Sequence, residues 1–185
     1  MDNNSKIGNK AEKLLFLKKE GFNIPDLFIL PKHLSEKEVL KNCDENQIYA
    51  VRSSCISEDS KSKSFAGYFY SEIGVSYKNI YKAYQKVISS FNNEEGVVII
   101  QEFIPSDKSG VIFTNDGSSN MVINSNFGVC KTVVEGWECD ELLVSKKGII
   151  LNKEYPKIKE SLIWKDKKLI KNKENQFSLN SKEIN

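Results

Sequence analysis

Histidine is nearly absent from this sequence, and its scarcity removes most imidazole chemistry. His33 is the single histidine among 185 residues, and it lies between Pro31 and an expected helix start at Ser35. General-base and metal sites built on imidazole are therefore not expected. The four cysteines contain no C-x-x-C pair, so a zinc site lacks its usual ligands and free thiols in a reducing compartment are favoured.

The chain also lacks a marked charge excess and a long apolar run. Its 27 basic and 25 acidic residues leave a net charge of +2, whereas binding to a phosphate backbone usually requires a clear basic excess. No apolar run approaches the ~20 residues that cross a bilayer, and the N-terminus has no signal-peptide core. We therefore expect a cytoplasmic protein with no nucleic-acid partner and no membrane partner.

Hydrophobic spacing predicts an α+β fold in which helices and strands are followed by many antiparallel strands. Helices are expected over 8–21, 35–42 and 76–91, and strands over 23–31, 47–54, 65–75, 96–104, 109–116, 120–128 and twice within 141–156. Four apolar residues of the first helix share one stripe: Ala11, Leu14, Leu15 and Leu17. Ser35 and Glu38 predict a capping box for the second helix. After Pro156 the chain is lysine-rich and only weakly patterned, so hydrophobic spacing predicts no element there.

Two features of the first half of the chain have the chemistry to bind phosphate. In "IGNKAEKL", Gly8 and Lys10 lie at a helix start, where backbone amides favour an anion and the lysine adds a positive charge. Arg52 follows the strand "QIYAV", and its planar guanidinium suits phosphate oxygens. In the next stretch, "SKSKSFAG", small polar residues and Gly67 let the backbone approach a ligand. Taken alone, these features are also compatible with a solvated helix and an exposed serine loop.

The third feature is the end of the apolar strand "VVIIQEFI", where residues 101–104 can form a hinge between two lobes. Backbone groups at such a hinge can bind the edge of an adenine ring, while Phe103 and Ile104 supply apolar walls. By composition alone, the segment is also compatible with a plain strand end.

In this order, the three features resemble the N-terminal ATP-binding domain of the pyruvate phosphate dikinase and phosphoenolpyruvate synthase family. The family's Gly-Gly-Lys-x-x-x-Leu is similar to Gly8-Asn9-Lys10 followed by Leu14. Its Ala-Val-Arg-Ser-Ser-x-x-x-Glu-Asp and Ser-Phe-Ala-Gly are similar to 50–59 and 64–67, and its Ser-Gly-Val-x-Phe-Thr is similar to 109–114. The likeness extends over nearly the whole chain up to about Leu151.

The resemblance implies an ATP-grasp-like fold of two small lobes with mostly antiparallel sheets, 1–100 and 101–185. It implies that Lys10 and Arg52 contact the ATP phosphates as the catalytic cations. The residues that it assigns to nucleotide binding are Lys10, Arg52, Ser64, Ala66, Gly67, Gln101, Glu102, Phe103 and Ile104. Mg²⁺ is expected to arrive with ATP, and no metal ligand is assigned in this chain, because the family's metal-binding carboxylate strand would follow its last residues.

The favoured interpretation is the ATP-binding part of a dikinase-type phosphotransferase, which moves phosphate from ATP through a histidine to pyruvate or a similar acceptor. A separate chain or domain would carry the phosphohistidine and the acceptor site, because His33 lacks the sequence context of that histidine. The polypeptide is therefore not expected to be a complete catalyst. The alternative is a catalytically inactive relative that senses nucleotide or binds a partner, which Asn9 and Lys131 favour because they replace a glycine and an acidic residue of the family pattern. A purely structural α+β interaction protein is a third interpretation.

Overall fold

The structure is a computed structural model, and it describes residues 7–56, 70–115, 117 and 119–184. The chain divides into two compact units, Met1–Ile104 and Pro105–Asn185. Every ladder between two strands of the described residues is antiparallel, which confirms the predicted α+β class with mostly antiparallel sheets. Within the same residues, no helix has the length and apolar character needed to cross a membrane.

The first unit is a four-stranded sheet with helices packed on it. Its strands are β1 (Leu27–Leu30), β2 (Ile48–Cys55), β3 (Ser71–Ser76) and β4 (Gly96–Glu102). Its helices are α1 (Gly8–Lys19), α2 (Glu36–Leu40) and α3 (Ile80–Ser89), and a 3₁₀ turn at Tyr77–Asn79 precedes α3. The strand order β1-β4-β2-β3 makes β2 and β4 the central strands. The predicted capping box between Ser35 and Glu38 is present at the start of α2.

One face of this sheet is covered by α3. Side chains alternate between the two faces along a strand, and Val51 and Cys55 of β2 point to the face where α3 lies. There they join a buried cluster with Ile80, Tyr84 and Val87 of the helix. Complete burial of such a side chain stabilises a fold by roughly 1.5–3 kcal/mol, so this cluster is the main core of the first unit.

The opposite face of the sheet is covered by α1. Ala11 of the helix packs against Val97 and Ile99 of β4 in a second, smaller cluster. Leu15, which shares the apolar stripe with Ala11 in the sequence pattern, is 44% exposed, whereas Ala11 is fully buried. The reason is that α1 buries only Gly8 and Ala11, near its start, so most of its length presents side chains to solvent.

The second unit contains a four-stranded sheet and a separate two-stranded sheet. The first consists, in this order, of β5 (Lys108–Phe113), β6 (Met121–Phe127), β7 (Asp140–Val144) and β8 (Ile150–Glu154). The second consists of β9 (Lys159–Lys165) and β10 (Lys168–Glu174). Two short helices are also present, α4 (Lys131–Val134) and α5 (Ser181–Ile184). The two hairpins predicted from the sequence correspond to β5–β6 and β7–β8.

A buried ion pair holds the strands of the second unit together. Lys159 of β9 and Asp140 of β7 are 1% and 0% exposed, and the lysine Nζ donates to Asp140 Oδ1. The same Nζ donates to the Gln176 carbonyl at 2.7 Å, and the Ser178 N–H donates to Asp140 Oδ2 at 2.5 Å. The pair therefore fixes the segment after β10 against β7 and β9.

The β9–β10 hairpin was not predicted from the sequence. Its turn is formed by Asp166 and Lys167, which have φ values of 51° and 58°. A two-residue turn of this kind is normally recognised by Gly or Asn, and neither is present here. The predicted strand over 65–75 is only partly testable: β3 covers its C-terminal part, and 65–69 lie outside the described residues.

Candidate functional site

The start of α1 is seated directly on the end of β2. The Ala11 N–H donates to Ser54 Oγ at 3.0 Å, and Ser54 Oγ donates to the Ile7 carbonyl at 2.7 Å. No side chain of the residue preceding α1 caps the helix. The Ser54 hydroxyl lies between the Ala11 N–H and the Ile7 carbonyl, the two groups that a regular first turn would join directly. Gly8 has φ +75°, and a Cβ there would lie 2.8 Å from the Cys55 carbonyl carbon.

Lys10 is thereby placed beside the strand that carries Arg52. Its Nζ donates to the Ser53 carbonyl at 3.0 Å, and the side chain is half-buried. Ser53 is the residue immediately after Arg52 in β2. The structure therefore brings the first and second predicted phosphate-binding features to the same strand.

Arg52 lies on the face of the sheet that α1 covers. It is two residues from Ser54, whose hydroxyl contacts α1, and alternation along the strand gives both side chains the same direction. Its neighbours across the ladder are Ile99 of β4 and Ser71 of β3. Among the described residues, the half-buried guanidinium has no hydrogen-bond or ion-pair partner. A cation in this position is available to an anionic ligand.

Gln101 is brought to the same face as Arg52. It pairs with Ala50 in the ladder where Arg52 pairs with Ile99, so the two side chains are diagonal neighbours. The Gln101 side chain is largely buried, and its Nε2 donates to the Pro25 carbonyl at 3.4 Å. Of the hinge residues predicted from the sequence, Gln101 is the one that the sheet register places next to Arg52.

Glu102 is not brought to that position, and Phe103 and Ile104 follow the end of β4. Alternation directs Glu102 to the other face, where its Oε1 accepts a hydrogen bond of 2.6 Å from Gln47 Nε2. Phe103 is 9% exposed and Ile104 is 51% exposed, so only the second presents a substantial apolar surface.

The backbone amides at this strand end are already engaged. The Glu102 N–H donates to the Asp26 carbonyl, and the Phe103 N–H donates to the Ile48 carbonyl, both at 2.8 Å. An adenine edge would therefore have to bind other groups here, such as the carbonyl oxygens or the Ile104 amide.

The carboxylate nearest to Arg52 along β3 points away from it. Glu72 pairs with Val51 and lies on the α3 face, where its Oε2 accepts hydrogen bonds from the Tyr70 hydroxyl at 2.6 Å and from Lys86 Nζ at 3.1 Å. Burial raises the pKa of Glu72, but the hydrogen bonds from Tyr70 and Lys86 outweigh burial, so the pKa is lowered. This carboxylate is committed to α3 and does not neutralise Arg52.

Three predicted site residues, Ser64, Ala66 and Gly67, lie outside the described residues, and their role stays a prediction. Among the residues that the structure describes, no cluster of three or more His, Cys, Asp or Glu side chains is arranged to hold a metal ion. The contacts of Ser54 with α1 and the close approach of Gly8 to β2 were not predicted from the sequence. The signal available for them was the glycine two residues before Lys10, which was interpreted only as part of an anion-binding helix start.

Comparison with known families agrees with the resemblance noted in the sequence. The family model described as "Pyruvate phosphate dikinase, AMP/ATP-binding domain" matches residues 30–97 and 93–185. The matched region contains Arg52 and Gln101, whereas Lys10 and α1 precede it. No curated protein matches the chain.

Proposed function

The chain belongs to the family of pyruvate phosphate dikinase AMP/ATP-binding domains, and from that premise we propose that it is the ATP-binding part of a dikinase-type phosphotransferase. In this proposal, phosphate passes from ATP through a histidine to pyruvate or a similar acceptor. A separate chain or domain supplies the phosphohistidine and the acceptor site, and the protein acts in the cytoplasm. The polypeptide described here binds nucleotide and is not a complete catalyst by itself.

The observation that carries the proposal is the convergence of two cations on one strand. Lys10 Nζ contacts the Ser53 carbonyl at 3.0 Å, and Arg52 points to the same face of the sheet without a partner among the described residues. Two positive groups beside a helix N-terminus suit the charge of a polyphosphate. Phosphoryl transfer depends on such groups to offset the charge of the moving phosphoryl.

Two more residues of the first unit, Gln101 and Ile104, are available to the proposed nucleotide site. Gln101 adds a polar side chain next to Arg52 on the same face of the sheet, and Ile104 offers an apolar surface at the end of β4. The described residues provide no carboxylate cluster for Mg²⁺, so in this proposal Mg²⁺ accompanies ATP and this chain's residues contribute positive charge and orientation. Ser64, Ala66 and Gly67 are assigned to the phosphate-covering loop on the resemblance alone.

Calorimetry with ATP, in the presence and absence of Mg²⁺, tests the proposal. We expect Lys10→Ala and Arg52→Ala each to weaken ATP binding at least tenfold, because charge-assisted hydrogen bonds are worth about 1.5–3 kcal/mol. Lys13→Ala is the matched control, since Lys13 lies on the exposed side of the same helix, and it should leave the affinity unchanged. Absence of ATP binding by the intact chain would overturn the proposal.

A second function, nucleotide sensing without catalysis, is favoured by Asn9 and Lys131, which depart from the family pattern. The two functions differ in whether a partner chain that carries the phosphohistidine allows phosphoryl transfer from ATP. Addition of a chain that carries the phosphohistidine should produce a phosphorylated histidine from ATP if the protein is part of a phosphotransferase. ATP binding without any phosphoryl transfer in that mixture would favour the sensor.

A further inference from the structure

The Ser54 hydroxyl is fully occupied by the start of α1. The residue is 0% exposed, its Oγ accepts from the Ala11 N–H at 3.0 Å, and it donates to the Ile7 carbonyl at 2.7 Å. A serine hydroxyl has one proton to donate, and here that proton is directed to Ile7. This hydroxyl is therefore not available to donate to a phosphate, although it follows Arg52 by only two residues.

The two contacts of Ser54 bracket Lys10 in the sequence. Ile7 precedes the helix and Ala11 immediately follows Lys10, so both ends of the first helical turn are tied to one side chain. Gly8 lies between them and touches the backbone of Ser54 and Cys55. The strand thus determines where the first turn of α1 lies, and with it the position from which Lys10 extends.

We propose that Ser54 is a positioning residue for Lys10. Its hydroxyl fixes the register of α1 on β2, and this register places the Lys10 ammonium beside Arg52, where both cations reach the same phosphate chain. The inference rests on the proposed function, in which Lys10 contacts ATP. Loss of the hydroxyl removes both hydrogen bonds that hold the first turn on β2 and leaves the Ala11 N–H and the Ile7 carbonyl to pair only with each other, so the helix start shifts from the strand and the lysine is displaced.

A double-mutant cycle tests this role. ATP affinity is measured by calorimetry for the wild-type chain, Ser54→Ala, Lys10→Ala and the double variant, with AMP as a second ligand that lacks the terminal phosphates. We expect Ser54→Ala to weaken ATP binding about tenfold, the change that 1.4 kcal/mol produces, and to leave AMP binding nearly unchanged. In the Lys10→Ala background, the Ser54 substitution should have no further effect, because coupled residues are not additive.

Ser90→Ala is the matched control, because the Ser90 hydroxyl likewise accepts from a backbone N–H, that of Tyr70 at 3.2 Å, and donates to a backbone carbonyl, that of Val87 at 2.7 Å, but does so at the end of α3 on the other face of the sheet. It should not change the affinity for either ligand. If Ser54→Ala does not fold, Ser54→Cys carries the same cycle, since a thiol fills the site but makes weaker hydrogen bonds. Thermal unfolding of each variant confirms that the binding data refer to folded protein.

The outcomes separate this inference from its premise. If Lys10→Ala leaves ATP binding unchanged, the proposed role of Lys10 is wrong and the inference is overturned with it. If Lys10→Ala weakens binding but Ser54→Ala does not, or does so equally in both backgrounds, the proposed function stands and the positioning role of Ser54 is overturned. An equal loss of ATP and AMP binding in Ser54→Ala would also overturn the positioning role of Ser54 and leave the proposed function standing.

Discussion

Gly8 approaches Cys55 so closely that a Cβ at position 8 would lie 2.8 Å from both the carbonyl carbon and the carbonyl oxygen of Cys55. Cβ atoms are essentially never found that near to backbone atoms. Gly8 also has a φ of +75°, which an L-residue adopts at a cost of about 1–2 kcal/mol. The first turn of α1 can therefore rest on the end of β2 only with glycine at this position.

We expect Gly8→Ala to lower the free energy of unfolding by about 2–4 kcal/mol, because backbone strain and overpacking add. Gly21→Ala is the matched control, since Gly21 has φ +80° but no atom within 4 Å of the added Cβ. It should cost only about 1–2 kcal/mol. Urea unfolding followed by far-UV circular dichroism measures both values, and equal losses would contradict the close approach at Gly8.

Lys159→Met should destabilise the second unit strongly. The substitution leaves the buried Asp140 carboxylate without its cation, although the Ser178 N–H remains. Breaking a buried ion pair by removing one partner typically costs about 3–5 kcal/mol. Tryptophan fluorescence during urea unfolding is the appropriate measurement, because both tryptophans of the chain, Trp137 and Trp164, lie in this unit.

The Lys159→Met/Asp140→Leu double variant provides the comparison for that prediction. An apolar pair removes the uncompensated charge, so the double variant should lose less stability than the two single variants added together. Strict additivity would show that the two side chains do not act as a pair.

The Tyr84 hydroxyl should contribute to stability by joining α3 to the segment after β1. It donates to the Pro31 carbonyl at 2.7 Å and accepts from the Leu34 N–H at 3.1 Å. Tyr84→Phe removes both hydrogen bonds and should lower the free energy of unfolding by about 1–3 kcal/mol. Tyr81→Phe, which alters the ring stacked at 6.0 Å on Tyr84, should have little effect in the same far-UV assay, because the Tyr81 hydroxyl has no hydrogen-bond partner among the described residues.

Glu72 should make the first unit sensitive to acid. Burial raises the pKa of its carboxyl, but the hydrogen bonds from Tyr70 and Lys86 prevail and lower it below the ordinary value of 4.5. A carboxyl with a lowered pKa stabilises the folded state above its unfolded pKa, and this stabilisation disappears as pH falls through the folded pKa. We therefore expect the wild-type chain to exceed Glu72→Gln in stability at pH 6, with the difference shrinking below pH ~4.5.

The measurement is the melting temperature of both proteins across that range. Glu20→Gln, an exposed substitution just after α1, controls for the general effect of removing one acidic residue. A difference between wild type and Glu72→Gln that stays constant with pH would show that the carboxyl does not titrate as expected.

Sequence reasoning identified most elements of the fold because their apolar residues recur with clear periods. The helix predicted over 76–91 is an example, because Ile80, Tyr84 and Val87 recur on one face of α3 and are buried there. The β9–β10 hairpin escaped prediction because lysines interrupt its pattern and its turn lacks glycine. Lys159 in particular is chemically a surface residue, and only the tertiary position of Asp140 makes its burial favourable.

For the candidate site, the sequence indicated Arg52 and Lys10 but could not predict which hinge residue would accompany them. That depends on the register between β2 and β4. This register pairs Ala50 with Gln101, so the Gln101 side chain points to the same face of the sheet as the Arg52 side chain. A β2–β4 register shifted by one residue would have turned the Glu102 side chain to the face of Arg52 instead, and would have placed a negative charge beside it. The assignment of 101–104 to the adenine stays a prediction.

Arg52 and Gln101 belong to the two central strands of their sheet, and each of those strands is hydrogen-bonded to a neighbour on both sides. Their backbone positions are thus set before any ligand arrives. A molecule that binds there needs to order no main chain at these two positions, and the entropy lost on association would come from side-chain rotamers and from the ligand itself. Affinity for such a molecule would therefore be governed by charge and shape, with the sheet as a rigid template.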